Sequence, residues 1–142
     1  PDIVPEHQYE IAPHTDYGFL TLLVQDDVGG LQVLDRSGSW INVAPLKGGI
    51  ILNTGDMLRY FSNNALISTP HRVINISGRE RYSVPFFFEP NMHAQISPIV
   101  RKGETHSHCE PIEYADYLME RIKNNYSIGA KDKRDFQLKK AV

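Results

Sequence analysis

Three residues in this chain have the type and spacing to hold one metal ion. His14-Thr15-Asp16 sets an imidazole and a carboxylate two residues apart. On an extended strand, residues i and i+2 point to the same side, so both groups reach one ion from one strand. Alone, H-x-D is a weak signal in a chain with six histidines, where a hydrogen-bonded structural pair is the commoner arrangement. His71 offers the second imidazole. It follows Asp16 after 54 intervening residues and opens the run His71-Arg72-Val73-Ile74. Two histidines and one carboxylate form the facial triad of non-haem Fe(II) sites, with positions left open. A bidentate oxo-acid can fill two of these and dioxygen the third.

Arg81 and Ser83 come nine intervening residues after His71, past a turn at Gly78. They share one strand face. A guanidinium fork beside a hydroxyl suits a carboxylate, and a buried arginine needs the counter-charge that a ligand carboxylate brings. The remaining reactive or aromatic groups have blander readings. His106, His108 and Cys109 (H-S-H-C) form a second possible metal cluster, but no partner pair for a structural zinc site is evident. His93 sits in an alternating strand and His7 in an exposed loop. Alternation sends Phe86 and Phe88 to one side and Phe87 to the other. Trp40 reads as the core anchor of a hairpin. Gly29-Gly30 and Gly48-Gly49 lack the Lys-Ser or helix pattern of a phosphate loop.

The elements that must position these groups are mostly strands. Phe19–Val24, Leu31–Leu34, Trp40–Val43, Ile50–Asn53, His71–Ile76, Tyr82–Glu89 and His93–Ile96 are short apolar or alternating runs, separated by Gly, Asn and Ser turns. Leu31–Asp35 and Ser39–Val43 form a hairpin around Gly38. Strands at this spacing predict a sandwich or barrel. After Pro98 the pattern becomes helical. Pro111 is placed to open a helix with one apolar stripe of Ile112, Ala115, Leu118, Ile122 and Tyr126, stopping at Gly129.

Composition bounds the rest. The chain has 142 residues, 41% hydrophobic and 23% charged, which is one globular domain's worth. Cys109 is its single cysteine, so no disulfide forms within it. Its apolar runs are too short for a transmembrane helix, and no secretory start is visible. A cytoplasmic protein with no membrane partner is expected. Net charge is -2. Residues 1–35 hold acids and no Lys or Arg, which argues against a nucleic-acid partner there. The basic residues after 130 read as a solvated end.

Residues 9–90 carry a set of motifs in order: H-T-D, T-L-L-x-Q-D followed by G-G-L-Q-V, N-x-G-D at Asn53–Asp56, H-R-V, and R-x-S before aromatics and Glu89-Pro90. Together they resemble the C-terminal catalytic half of the isopenicillin-N-synthase-like Fe(II)/2-oxoglutarate dioxygenases. The resemblance implies a mainly β, double-stranded β-helix (jelly-roll) core with a C-terminal helix. It implies that His14, Asp16 and His71 bind Fe(II) and that Arg81 and Ser83 bind the distal carboxylate of 2-oxoglutarate, with O2 as the other co-substrate. Phe87 and Glu89 continue the parity of Arg81 and Ser83 and are candidates to face a small-molecule substrate. Residues 1–98 would then be the catalytic core, 99–129 a helical segment and 130–142 a flexible basic tail. Members of this family are about twice as long, so a fragment lacking its N-terminal half is one expectation. Two other functions stay open at this point. One is an Fe(II) oxidase that needs no 2-oxoglutarate and uses Arg81 and Ser83 for the substrate's own carboxylate. The other is a non-catalytic β-sandwich.

Overall fold

Two antiparallel sheets share the chain between them. The computed structural model describes residues 9–75, 77–100, 102–103 and 110–127. Strands β1 (Ile11–His14), β3 (Leu31–Leu34), β4 (Trp40–Asn42) and β6 (His71–Val73) form one sheet in the order β1-β6-β3-β4. Strands β2 (Leu20–Gln25), β5 (Ile51–Thr54) and β7 (Ser83–Phe88) form the other, in the order β5-β2-β7. The chain passes back and forth between the sheets, as a jelly roll requires. A short helix, α1 (Asp56–Phe61), follows β5, and a two-stranded sheet of β8 (Gln95–Ile96) and β9 (Ile112–Glu113) leads into helix α2 (Tyr114–Ser127).

The hairpin expected around Gly38 is present. Leu34 pairs with Trp40 and Gln32 with Asn42. Its turn is held by the Asp35 carboxylate, which accepts hydrogen bonds from the N–H groups of Ser37 and Ser39. Proline marks the sheet edges. Pro13 lies in β1 and Pro85 in β7, both edge strands, where a missing N–H leaves no ladder bond unmade. Pro13 also coincides with a register irregularity between Ile11 and His14. It hides β1 from a strand reading of the sequence.

Burial is concentrated away from the open ends of the sheets. Met57, Ile96 and Tyr114 form the buried cluster, flanked by Phe19, Phe61 and Leu118. α1, β8 and the start of α2 meet there, so the helical segment is continuous with the β core. Leu31 and Val73 are buried between paired strands. The outer face of the three-stranded sheet is different. Leu22, Val24, Leu52, Val84, Phe86 and Phe88 line it, all exposed.

Several expectations need correction. Pro111 precedes a strand, β9, rather than opening a helix; α2 begins at Tyr114. Its first N–H groups are satisfied from outside, Tyr114 donating to the Ala94 carbonyl and Ala115 to that of Met92. The helix starts where those acceptors are. Trp40 is no core anchor. It shares a sheet face with Gln32 and Arg72, and the Arg72 guanidinium lies 4.2 Å from its ring centroid. Phe86 and Phe88 do lie on the side opposite Phe87, but they stand exposed. Helix α1 has too few residues for its periodicity to be read in sequence. His7, His106, His108, Cys109, Gly129 and the basic tail lie outside the described residues.

Candidate metal centre

His14 ends β1 and His71 begins β6, and the two are register partners across the sheet. Pairing draws their rings to a centroid separation of 4.2 Å. Asp16 lies just past β1 and is 8% exposed. Its Oδ1 is 3.7 Å from His14 Nε2 and 3.5 Å from His71 Nε2. One ligand atom from each of the three residues falls within 4.8 Å of the others. Among the described residues this is the one such group of three or more His, Cys, Asp or Glu side chains.

The imidazoles are prepared to bind a cation. His14 Nδ1 lies 2.8 Å from the Ala12 carbonyl oxygen, and His71 Nδ1 lies 3.1 Å from that of Thr69. A carbonyl only accepts, so each ring carries its proton on Nδ1. The Nε2 lone pairs are thereby free and face Asp16. Burial holds the His71 pKa below the ordinary imidazole value, and the nearby His14 pushes the same way. The neutral form of His71 is favoured.

Asp16 is held from the opposite sheet. Its Oδ2 accepts 2.5 Å and 2.7 Å hydrogen bonds from Thr21 Oγ1 and Asn53 Nδ2. Thr21 and Asn53 are themselves register partners on β2 and β5. The loop carrying Asp16 is fixed by the first turn of α1. Asp56 N–H donates to the Asp16 carbonyl, Met57 N–H to that of Gly18 and Gly55 N–H to that of Phe19. A β-carbon at Gly55 would lie 2.3 Å from the Gly18 carbonyl oxygen. Only glycine allows this approach.

Helix α2 reaches the same loop. The Asp56 carboxylate accepts from Tyr117 Oη at 2.8 Å, Thr15 Oγ1 at 3.1 Å and Arg121 Nη2 at 3.2 Å. Burial, then the Asp56 charge, drives the Tyr117 hydroxyl pKa well above its ordinary value, so it stays a donor. Arg121 also lies over the Tyr17 ring. Residues 15, 17 and 56 are thus tied to α2.

Arg81 and Ser83 meet as expected. Arg81 Nη1 donates to Ser83 Oγ at 3.1 Å, Nε to the Gly29 carbonyl at 2.6 Å and Nη2 to Gln25 Oε1 at 3.2 Å. The Gln25 Nε2 group is buried beside this cradle with no protein partner among the described residues. Phe87 pairs with Thr21 and so shares the sheet face that holds Asp16. Glu89 follows the end of the strand. β7 ends at Phe88, so alternation no longer governs it. Its carboxylate accepts from the buried Tyr114 hydroxyl and packs on Gly18.

Thr21, Gln25, Asn53, Asp56, Tyr117 and Arg121 carry no role in a sequence reading. A signal existed for some of them. Thr21 and Gln25 are polar groups at the inward positions of an apolar strand, where burial of polarity is the informative observation. Asn53 and Asp56 are the polar ends of N-x-G-D.

Two histidines and one carboxylate brought within reach of one ion on a jelly roll make a candidate metal centre. The chain belongs to the 2OG-Fe(II) oxygenase superfamily, whose sequence profile matches residues 1–90. It is 44% identical over 119 residues to the 2-oxoglutarate-Fe(II) type oxidoreductase hxnY of Emericella nidulans, covering 82% of this chain and 34% of that protein. It is 39% identical over 131 residues to the homoarginine-6-hydroxylase 2-ODD-233 of Oryza sativa subsp. japonica, covering 87% and 40%. Among solved structures, full-length Neurospora crassa T7H in complex with alpha-KG matches with a TM-score of 0.78 at 36% identity, over 85% of this chain and 39% of that one. The chain therefore spans between a third and two-fifths of the length of these relatives.

Proposed function

We propose that this chain carries the catalytic core of an Fe(II)- and 2-oxoglutarate-dependent dioxygenase acting on a small organic molecule. The observation that carries this reading is the convergence of His14, Asp16 and His71, with both histidine tautomers set to present Nε2. These residues would hold Fe(II), whose chemistry couples O2 reduction to decarboxylation of 2-oxoglutarate and oxidation of the substrate. The chain's own work is binding and orientation. Arg81 and Ser83 take the distal carboxylate of 2-oxoglutarate by charge and hydrogen bonding. Phe87 gives the pocket an apolar wall near the iron. Glu89, committed to Tyr114, is assigned an anchoring role.

Two observations favour 2-oxoglutarate as co-substrate over direct capture of a substrate carboxylate. Several relatives are named as 2-oxoglutarate enzymes, hxnY among them, and full-length T7H is found in complex with alpha-KG, in one case with thymine as well. The exposed apolar outer sheet face and the coverage of the relatives support a further part of the same enzyme packing on this one. The single cysteine fits a cytoplasmic location, and no helix among the described residues is long and apolar enough to cross a membrane.

Anaerobic addition of Fe(II) and 2-oxoglutarate to the full-length protein tests the reading. A visible metal-to-ligand charge-transfer band is expected. His14→Ala and Asp16→Ala should abolish it, and Arg81→Met should shift its appearance to much higher 2-oxoglutarate. A band that survives in the first two variants overturns the assignment.

A further inference from the structure

We propose that Thr21 and Asn53 are positioning residues that hold Asp16 to a single metal-facing oxygen and so set how many coordination positions stay open. This inference rests on the metal-site reading and deepens it.

A carboxylate can bind a cation through one oxygen or both. Both modes use the same residue but leave different numbers of vacant positions. Here the two oxygens have different surroundings. Oδ1 faces both Nε2 atoms, at 3.5 Å and 3.7 Å. Oδ2 accepts two short hydrogen bonds, from Thr21 and Asn53. Bonds to an ionised acceptor are the strong ones. Turning Oδ2 toward the metal would break both and leave two polar groups without a partner at a site where Thr21 is 5% exposed. Held this way, the carboxylate would offer a bound ion one oxygen beside one nitrogen from each imidazole, and its second oxygen would stay with Thr21 and Asn53.

The donors come from the sheet that does not carry the histidines. β1 and β6 supply the imidazoles, while β2 and β5 supply the grip on the carboxylate. A change in sheet spacing would thus move Asp16 relative to both histidines. Neither donor needs to touch metal or substrate to act.

The test is Co(II) binding to the full-length protein by titration calorimetry, with Thr21→Val, Asn53→Leu and Thr21→Ser beside wild type. Loss of a partner of a metal ligand typically lowers metal affinity about 10–100-fold, and that loss is expected for T21V and N53L. T21S keeps the hydroxyl and should bind close to wild type, which a merely space-filling role for the Thr21 methyl would not produce. Wild-type affinity in both T21V and N53L overturns the proposal. A crystal structure of the Co(II)-loaded wild type tests it without any variant: Oδ1 should bond the metal and Oδ2 should not. Both oxygens at bonding distance overturn it even if a variant fails to fold. A folded wild type that takes up no Co(II) sinks the metal-site reading and this inference with it, an outcome distinct from unaltered variants.

Discussion

Replacing Arg121 by Met should loosen the metal-binding loop from a helix 106 positions away in sequence. Arg121 Nη2 sits 3.2 Å from Asp56 Oδ2, with side chains 23% and 14% exposed. Exposed pairs of this kind contribute about 0–1 kcal/mol. A hydrogen bond to a charged group contributes about 1.5–3 kcal/mol. The low exposure places this pair nearer the second figure. Two features trim it. Asp56 keeps Thr15 and Tyr117 as donors after the change, and Arg121 Nε is a buried donor with no partner among the described residues, a cost the substitution removes. The net loss is about 2 kcal/mol, or roughly 30-fold in the folding equilibrium and a fall of about 4–8 °C in Tm. Thr15 stands between two of the proposed metal ligands and also faces Arg121 at 3.3 Å, so Co(II) affinity should fall with stability. Thermal melts of metal-free protein and Co(II) titrations of Arg121→Met, Asp56→Asn and the double variant measure both effects. A Tm within about 1 °C of wild type, or a coupling energy below about 0.5 kcal/mol in the cycle, refutes the assigned strength of the pair. A lowered Tm with unchanged Co(II) affinity refutes the link from α2 to the metal loop.

Other outcomes follow from the same contacts. Gly55→Ala sets a β-carbon against backbone, the Gly18 carbonyl oxygen, and should cost about 1–3 kcal/mol by denaturant melt. Gly18→Ala meets the side-chain carboxylate of Glu89 rather than backbone and should cost less, the Tyr114–Glu89 hydrogen bond being what has to give; equal losses would show that the two approaches are not different in kind. Tyr114→Phe removes the donor to Glu89 and should cost about 1 kcal/mol while leaving 2-oxoglutarate turnover close to wild type; a collapse of turnover would restore Glu89 to the substrate pocket. Asp26 has its pKa lowered, first by the Tyr82 N–H and also by that of Val28. Its contribution is present above the ordinary carboxylate pKa of 3.8 and is lost as pH falls through the lowered folded value. Asp26→Asn should therefore flatten the acid limb of a pH–stability profile, and an unchanged limb would count against that role.

The motifs of this chain were legible because each depends on short-range geometry. H-x-D and R-x-S were noticed through the strand repeat, but Asp16 lies just past β1 and Arg81 just before β7, so loop contacts place Asp16 and a direct hydrogen bond joins Arg81 to Ser83. The hairpin around Gly38 and the sides taken by Phe86, Phe87 and Phe88 followed from period-2 alternation. Glu89 did not, because alternation ends with the strand. Helix α2 was misplaced at its start because its first donors are satisfied by carbonyls of residues 92 and 94, which no local pattern reveals.

Residue types and spacing by themselves pointed to the class of chemistry: three candidate metal ligands, a candidate carboxylate cradle and strands to carry them. Which oxygen of Asp16 faces the histidines and what fastens their loop were decided only by the folded chain. Those properties come from contacts between residues 37 and 106 positions apart. They depend on how two sheets and a helix sit against each other, and that distance along the chain is invisible to any repeat of two or of three to four residues.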